Sequence, residues 1–257
     1  MGGIVGYVGK NDARSIIMDG LKKLEYRGYD SAGIALVRNG GIDIRKKVGE
    51  IANLEELLKH EMARGICFDS HTGIGHTRWA THGAPSDVNA HPHASEDGTV
   101  AIVHNGILEN FVELKQMLIA EYNVKFKSET DSEVIAHLIA AHMKNYSKLE
   151  DAVYAATLEM RGAYALVVVS SKDPNKIVAV RKDAPLIAGI GKGENFIASD
   201  IPALMKHCKE IYLIENGEMV VVTADEIKIY DEERNPVQRE VFHVTWDADA
   251  AEKEGYS

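Results

Sequence analysis

Cysteine is scarce in this sequence: Cys67 and Cys208 are the only two among 257 residues. Two thiols this far apart, with no CxxC spacing, exclude a thiolate zinc site and read as free thiols of a reducing compartment, the cytoplasm. Long apolar runs are missing, so no segment is expected to span a bilayer. The N-terminus lacks a basic stretch ahead of an apolar one and is not expected to be a signal peptide. Positive charge is in deficit, with 29 Lys and Arg against 39 Asp and Glu for a net charge of −10. Nucleic acid and anionic membranes are therefore disfavoured as partners. There is no internal repeat and no low-complexity linker. What remains is ordinary for a globular protein, 45% hydrophobic and 26% charged, in a chain long enough for a substantial core.

One further absence falls at residue 2. The chain opens Met1-Gly2-Gly3-Ile4-Val5-Gly6-Tyr7-Val8-Gly9, an apolar strand at a position where chain ends normally fray. A terminus tied into a sheet suggests that the terminus has a task. In one enzyme class a side chain at the first residue attacks the substrate and its own α-amine acts as base. That nucleophile must be Cys, Ser or Thr, and Gly2 has no side chain.

β-Branched runs predict strands at 4–8, 33–37, 42–48, 99–104, 163–170, 176–181, 210–214, 219–223 and 226–230. A 3.6-residue apolar period predicts helices at 13–24, 54–62, 108–122, 131–143 and 146–160. Asn216-Gly217 between Ile214 and Met219 reads as a hairpin turn. Consecutive strands with tight turns predict antiparallel sheets covered by a few helices, an α+β fold. The acidic segment from Trp246 to Ser257 reads as a tail or the start of a linker, leaving 1–245 as one domain.

Four more clusters join the opening strand: Glu25-Tyr26-Arg27-Gly28-Tyr29-Asp30-Ser31-Ala32-Gly33, His76-Thr77-Arg78-Trp79-Ala80-Thr81-His82-Gly83, His91-Pro92-His93 with His104-Asn105-Gly106, and Glu129-Thr130-Asp131-Ser132-Glu133. Together the five resemble the class II glutamine amidotransferases, which are N-terminal-nucleophile hydrolases. Within that class the Tyr26–Gly33 cluster is similar to the glutaminase domains of the glucosamine-6-phosphate synthases. The resemblance covers essentially the whole chain, and five ordered motifs are far more specific than any one.

The resemblance implies a four-layer αββα sandwich of two antiparallel sheets. It implies L-glutamine as substrate, hydrolysed through a thioester, with the ammonia passing to a C-terminal sugar-isomerase domain that aminates fructose 6-phosphate. No cofactor and no metal are implied. Relatives begin Met-Cys-Gly-Ile-Val-Gly and lose the methionine to expose the cysteine. Gly2 stands in that place, so this chain is expected to bind glutamine without cleaving it efficiently. The family's dimer contacts lie largely in the isomerase domain, so this chain alone is expected to be a monomer.

Glutamine's α-carboxylate favours a planar bidentate cation, which points to Arg78, with an ordinary loop arginine as the alternative. The α-ammonium needs a carboxylate, and Asp131 matches. Thr130-x-x-Glu133 is also a capping box, so Asp131 can equally serve a helix start. A tetrahedral oxyanion needs preorganised donors; Asn105 offers a side-chain NH2 and Gly106 a backbone N–H, while a plain Asn-Gly turn is the competing reading. By resemblance, Arg78 to Gly83 is the loop that closes over substrate, and Thr81 and His91 line the pocket. Trp79 is linked to ammonia transfer or is simple packing. Arg27 supports the nucleophile region or forms a structural ion pair. A metal site on the clustered histidines, with His91 and His93 on one strand face, lacks a diagnostic spacing.

Overall fold

The computed structural model describes residues 2–80 and 82–245; Met1, Thr81 and the segment 246–257, with the linker expected there, lie outside the described residues. In chain order the elements begin β1 (Gly3–Gly9), α1 (Ala13–Lys23), β2 (Ser31–Arg38), β3 (Gly41–Val48), α2 (Ile51–Ala63), β4 (Thr72–Arg78), β5 (His93–Ala94) and β6 (Val100–Leu108). Three helices follow, α3 (Phe111–Tyr122), α4 (Ser132–His142) and α5 (Leu149–Glu159). The rest is strand: β7 (Gly162–Ser170), β8 (Ile177–Lys182), β9 (Ile187–Ile190), β10 (Glu194–Ala198), β11 (Glu210–Leu213), β12 (Met219–Val222), β13 (Ile227–Tyr230), β14 (Pro236–Val237) and β15 (Phe242–His243).

They form an eight-stranded sheet, β15-β11-β9-β10-β1-β4-β2-β3, and a seven-stranded sheet, β14-β13-β12-β8-β7-β6-β5. Every strand pair in the two sheets is antiparallel. Period-two alternation sorts their side chains. Val5 and Tyr7 of β1 pack with Ile17, Leu21, Leu54 and Leu58 of α1 and α2. Ile102 of β6 and Leu166 of β7 pack with Leu118, Ile135 and Val153 of α3, α4 and α5. The intervening residues Ile4, Ile74, Val103, Val167 and Ile197 meet between the sheets. The result is the expected four-layer αββα sandwich.

Three local expectations are corrected. Asn216-Gly217 does form a turn, with the Glu218 N–H donating to the Glu215 carbonyl. It is no hairpin, because β11 pairs with β9 and β15 whereas β12 pairs with β8 and β13 in the other sheet. The Asp183 N–H caps the Asn216 side chain at 2.7 Å, pinning this crossing. β4 was not anticipated: Thr72-Gly-Ile-Gly-His-Thr-Arg78 lacks a β-branched run, and its pairing with β1 and β2 supplies what propensity does not. β6 runs past residue 104 to Leu108, displacing the expected start of α3 to Phe111.

Candidate active site

β1 lies between β10 and β4 and presents Gly2 to the seam between the sheets. The alternation of β4 carries Ile74, His76 and Arg78 to one face; that of β6 carries Val103 and Asn105 to the face opposing it. Where the apolar residues of both strands end, polar ones take over, and the sandwich core opens into a cavity of about 520 Å³ lined by Gly2, His76, Arg78, His91, Asn105 and Asp131, among others.

The Asn105 side-chain amide donates to the Gly2 carbonyl at 2.7 Å, and Arg27 Nε donates to the same oxygen at 3.3 Å. The Arg27 guanidinium also contacts Asp200 at 3.4 Å, so support of residue 2 and a structural ion pair coexist. The neighbouring Gly3 N–H donates to Thr77 Oγ1 at 2.9 Å and the Ile4 N–H to Ser199 Oγ at 2.9 Å. Gly2 itself is in a tight place, since a Cβ there would collide with the Thr77 carbonyl oxygen.

Asn105 and Gly106 are not a turn. Both lie within β6, in register with Ala165 and Tyr164. Gly106 has φ 124°, and a Cβ there would strike the Ala163 carbonyl, so glycine is required by backbone conformation and approach together.

Arg78 is buried at the end of β4 rather than exposed in a loop. Its guanidinium donates to the His82 carbonyl, to the Gly83 carbonyl at 2.9 Å and to the Ala84 carbonyl at 3.3 Å. It therefore ties down the segment that follows β4 while lining the cavity, and its NH1 also lies 4.0 Å from Asp30 Oδ1. Burial lowers the Arg78 pKa, and the Asp30 and Asp131 carboxylates oppose that shift.

Asp131, 2% exposed, immediately precedes α4 yet makes no side-chain cap there. Oδ2 accepts the Leu108 N–H at 2.8 Å, and Oδ1 has only a long contact of 3.4 Å from Ser132 Oγ. Thr130 takes the capping role, its hydroxyl accepting the Glu133 N–H at 3.3 Å. Glu133 reaches back to the N–H groups of Lys127 and Ser128. Those bonds and His137 pull its pKa to about 2 against the opposing effect of burial. The Thr130 half of the capping box is therefore in place while Glu133 reaches past Thr130 to residues 127 and 128, and Asp131 Oδ1 is left without a short partner beside the cavity.

Trp79 stands at the rim, 62% exposed. His91 lies in the wall, its Nδ1 accepting the His104 N–H at 3.3 Å and its ring stacked on His76 with centroids 4.2 Å apart. The His91 and His93 rings are 4.7 Å apart, but only His93 is in a strand. Burial lowers the pKa values of His76, His91, His93 and His104, keeping the imidazoles neutral, with His76 pushed down to about 3. Among the described residues no three His, Cys, Asp or Glu side chains are arranged to hold a metal ion, and no helix is long and apolar enough to cross a membrane.

His76, His82, His104, Thr130 and Ser132 also line the cavity; the sequence marked the histidines only as a metal cluster and Thr130 only as a helix cap, and it gave Ser132 no role. Their clustering around Arg78, Asn105 and Asp131 in the motifs was the available signal.

The sequence profile of the glutamine amidotransferase domain matches residues 39–230. The glutamine–fructose-6-phosphate aminotransferase (isomerizing) of Clostridium perfringens is 54% identical over 256 residues, covering all of this chain and 41% of that protein. The protein of the same name from Aquifex aeolicus is 49% identical over 257 residues, covering all of this chain and 42% of its own length. The chain thus spans about two fifths of the curated relatives it matches. Among solved structures, the glutamine phosphoribosylpyrophosphate amidotransferase of B. subtilis, complexed with ADP and GMP, superimposes with a TM-score of 0.74 at 26% identity, covering 91% of this chain and 50% of that one.

Proposed function

This chain belongs to the glutamine amidotransferase domain family, and from that premise we propose that it is the glutamine-binding domain of a glutamine–fructose-6-phosphate aminotransferase, inactivated for hydrolysis by Gly2. The observation that carries the reading is the hydrogen bond from Asn105 to the Gly2 carbonyl. It puts residue 2 beside a preorganised amide donor, within a cavity that has a cationic pole at Arg78 and an anionic pole at Asp131.

In the reaction the resemblance implies, a thiolate at residue 2 attacks the side-chain amide carbon of glutamine and a C–S bond forms. The carbonyl π electrons move to oxygen, where Asn105 and the Gly106 N–H stabilise the charge. An amide NH2 carries two protons, so Asn105 can hold the Gly2 carbonyl with one and the oxyanion with the other. Collapse breaks the C–N bond, the α-amine of residue 2 hands the leaving nitrogen the proton it took from the thiol to form the thiolate, and ammonia departs. Water then hydrolyses the thioester to glutamate. Arg78 takes the α-carboxylate and Asp131 Oδ1 the α-ammonium; His91 and Trp79 line the same cavity, and Thr81 belongs to the substrate-binding set by resemblance alone. The domain comprises 1–245, and 246–257 leads into the isomerase domain that receives the ammonia and aminates fructose 6-phosphate. Gly2 supplies no thiolate, so binding stops short of the first bond.

A second reading, a glutamine-binding module with no catalytic ancestor state to restore, is favoured by one observation: the space where a side chain at residue 2 would begin is closed by the Thr77 carbonyl. Glutamate release by the Gly2→Cys chain, with the cysteine confirmed as the free first residue by mass spectrometry, separates the two. Activity supports the inactivated domain. Retained glutamine binding without activity supports the module, and loss of all glutamine binding removes both.

A further inference from the structure

His76 is absorbed by none of the roles above, yet it contacts Asn105 from the buried wall of the cavity. It lies on β4 between Ile4 of β1 and Gly33 of β2 and is 2% exposed. Its Nε2 is 2.8 Å from Asn105 Oδ1. An amide oxygen can only accept, so Nε2 carries the proton and Nδ1 is a bare acceptor. His76 Nδ1 is buried without a partner, so only the bond to Asn105 selects the tautomer. The stack on His91 fixes the ring plane.

Asn105 left alone could rotate about χ2 and exchange its oxygen and nitrogen, presenting an acceptor where the oxyanion forms. We infer that His76 is a positioning residue, whose Nε2–H locks the Asn105 amide so that its NH2 faces residue 2 and the substrate. This rests on the glutaminase reading for its consequence in turnover, while the lock itself is a property of the chain as it stands. The opposing Gly2 carbonyl reads the same orientation from the nitrogen side, at 2.7 Å. The ring suits the task because a neutral imidazole keeps one fixed donor; burial holds it neutral across the ordinary pH range.

Long-range nitrogen–proton NMR on the unaltered chain tests this without any activity. The expected result is a proton on His76 Nε2 and none on Nδ1, together with exchange-protected Asn105 side-chain amide protons. His76→Leu should abolish that protection, and His76→Gln, whose amide can donate to the same oxygen, should restore it. A proton on Nδ1, or unchanged Asn105 signals in His76→Leu, overturns the proposal. Should His76→Leu fail to fold, the tautomer and His76→Gln still decide. In the Gly2→Cys chain with its cysteine free, His76→Leu should lower kcat about 10-fold or more while KM moves less than about 3-fold, and His76→Gln should recover most of the loss. A loss carried by KM alone overturns positioning. No activity from Gly2→Cys with His76 intact removes the glutaminase assignment, and the NMR result then stands by itself.

Discussion

Asn105 and Gly2 are 103 residues apart in sequence and joined by a 2.7 Å hydrogen bond from the side-chain amide to the backbone carbonyl. That one bond ties the N-terminal strand of the first sheet to the second sheet at the cavity floor. Replacing Asn105 by Ala leaves the buried His76 Nε2–H without an acceptor, at a cost of about 1–3 kcal/mol. In the Gly2→Cys background, turnover should also fall by roughly 10²–10³-fold with little change in glutamine affinity. Steady-state kinetics beside titration calorimetry checks both; a large loss of binding with normal turnover would refute the oxyanion role.

Arg78→Ala should weaken glutamine binding by about 2–4 kcal/mol, because it removes a charge-assisted contact and leaves a carboxylate unpaired. It also releases the His82, Gly83 and Ala84 carbonyls, so the segment after β4 should become more open to proteolysis. Calorimetric titration with an unchanged dissociation constant would take Arg78 out of substrate binding.

Gly2→Cys with Met1 retained should be destabilised by about 1–3 kcal/mol, the usual range for overpacking, because the new Cβ meets the Thr77 carbonyl. Removing Met1 frees residue 2 from its preceding peptide bond, lets it rotate away from Thr77 and should recover much of that loss. Thermal melts of the two forms measure the difference, and equal stability would show that the backbone yields without strain.

The buried histidines predict a pH dependence with a definite sign. His76, with its pKa pushed from the ordinary 6.5 to about 3, stays neutral in the folded protein at pH values where the unfolded chain is protonated. Below about pH 6.5 the unfolded state therefore binds more protons, and stability falls as pH drops towards about 3. Each such group contributes a slope of up to about 1.4 kcal/mol per pH unit. His91, His93 and His104 shift in the same direction for the same reason. Denaturant midpoints at pH 5.0 and 7.5 check it; a midpoint unchanged between them would show that these rings are hydrated.

An antiparallel α+β fold was legible in the sequence, and its four-layer stacking followed from the family resemblance. β-Branched runs mark β1 and β7 and a 3.6-residue apolar period marks α1 and α4, because both signals are local properties of the chain. Gly2 was conspicuous for the side chain it lacks, and Arg78, Asn105 and Asp131 for chemistry that the motifs keep together. Only the tertiary structure could decide the rest, since it depends on pairing between distant segments. β4, with its glycines and histidine, is a strand only because β1 and β2 flank it. Asn216-Gly217 is a crossing between sheets because its two neighbouring strands find different partners. Asp131 is spared from capping because the Thr130 hydroxyl accepts the Glu133 N–H, while the Glu133 carboxylate accepts the N–H groups of residues 127 and 128. His76 acquires its place only when the sheets stack, because no local pattern distinguishes a histidine that packs from one that holds an amide in a single orientation.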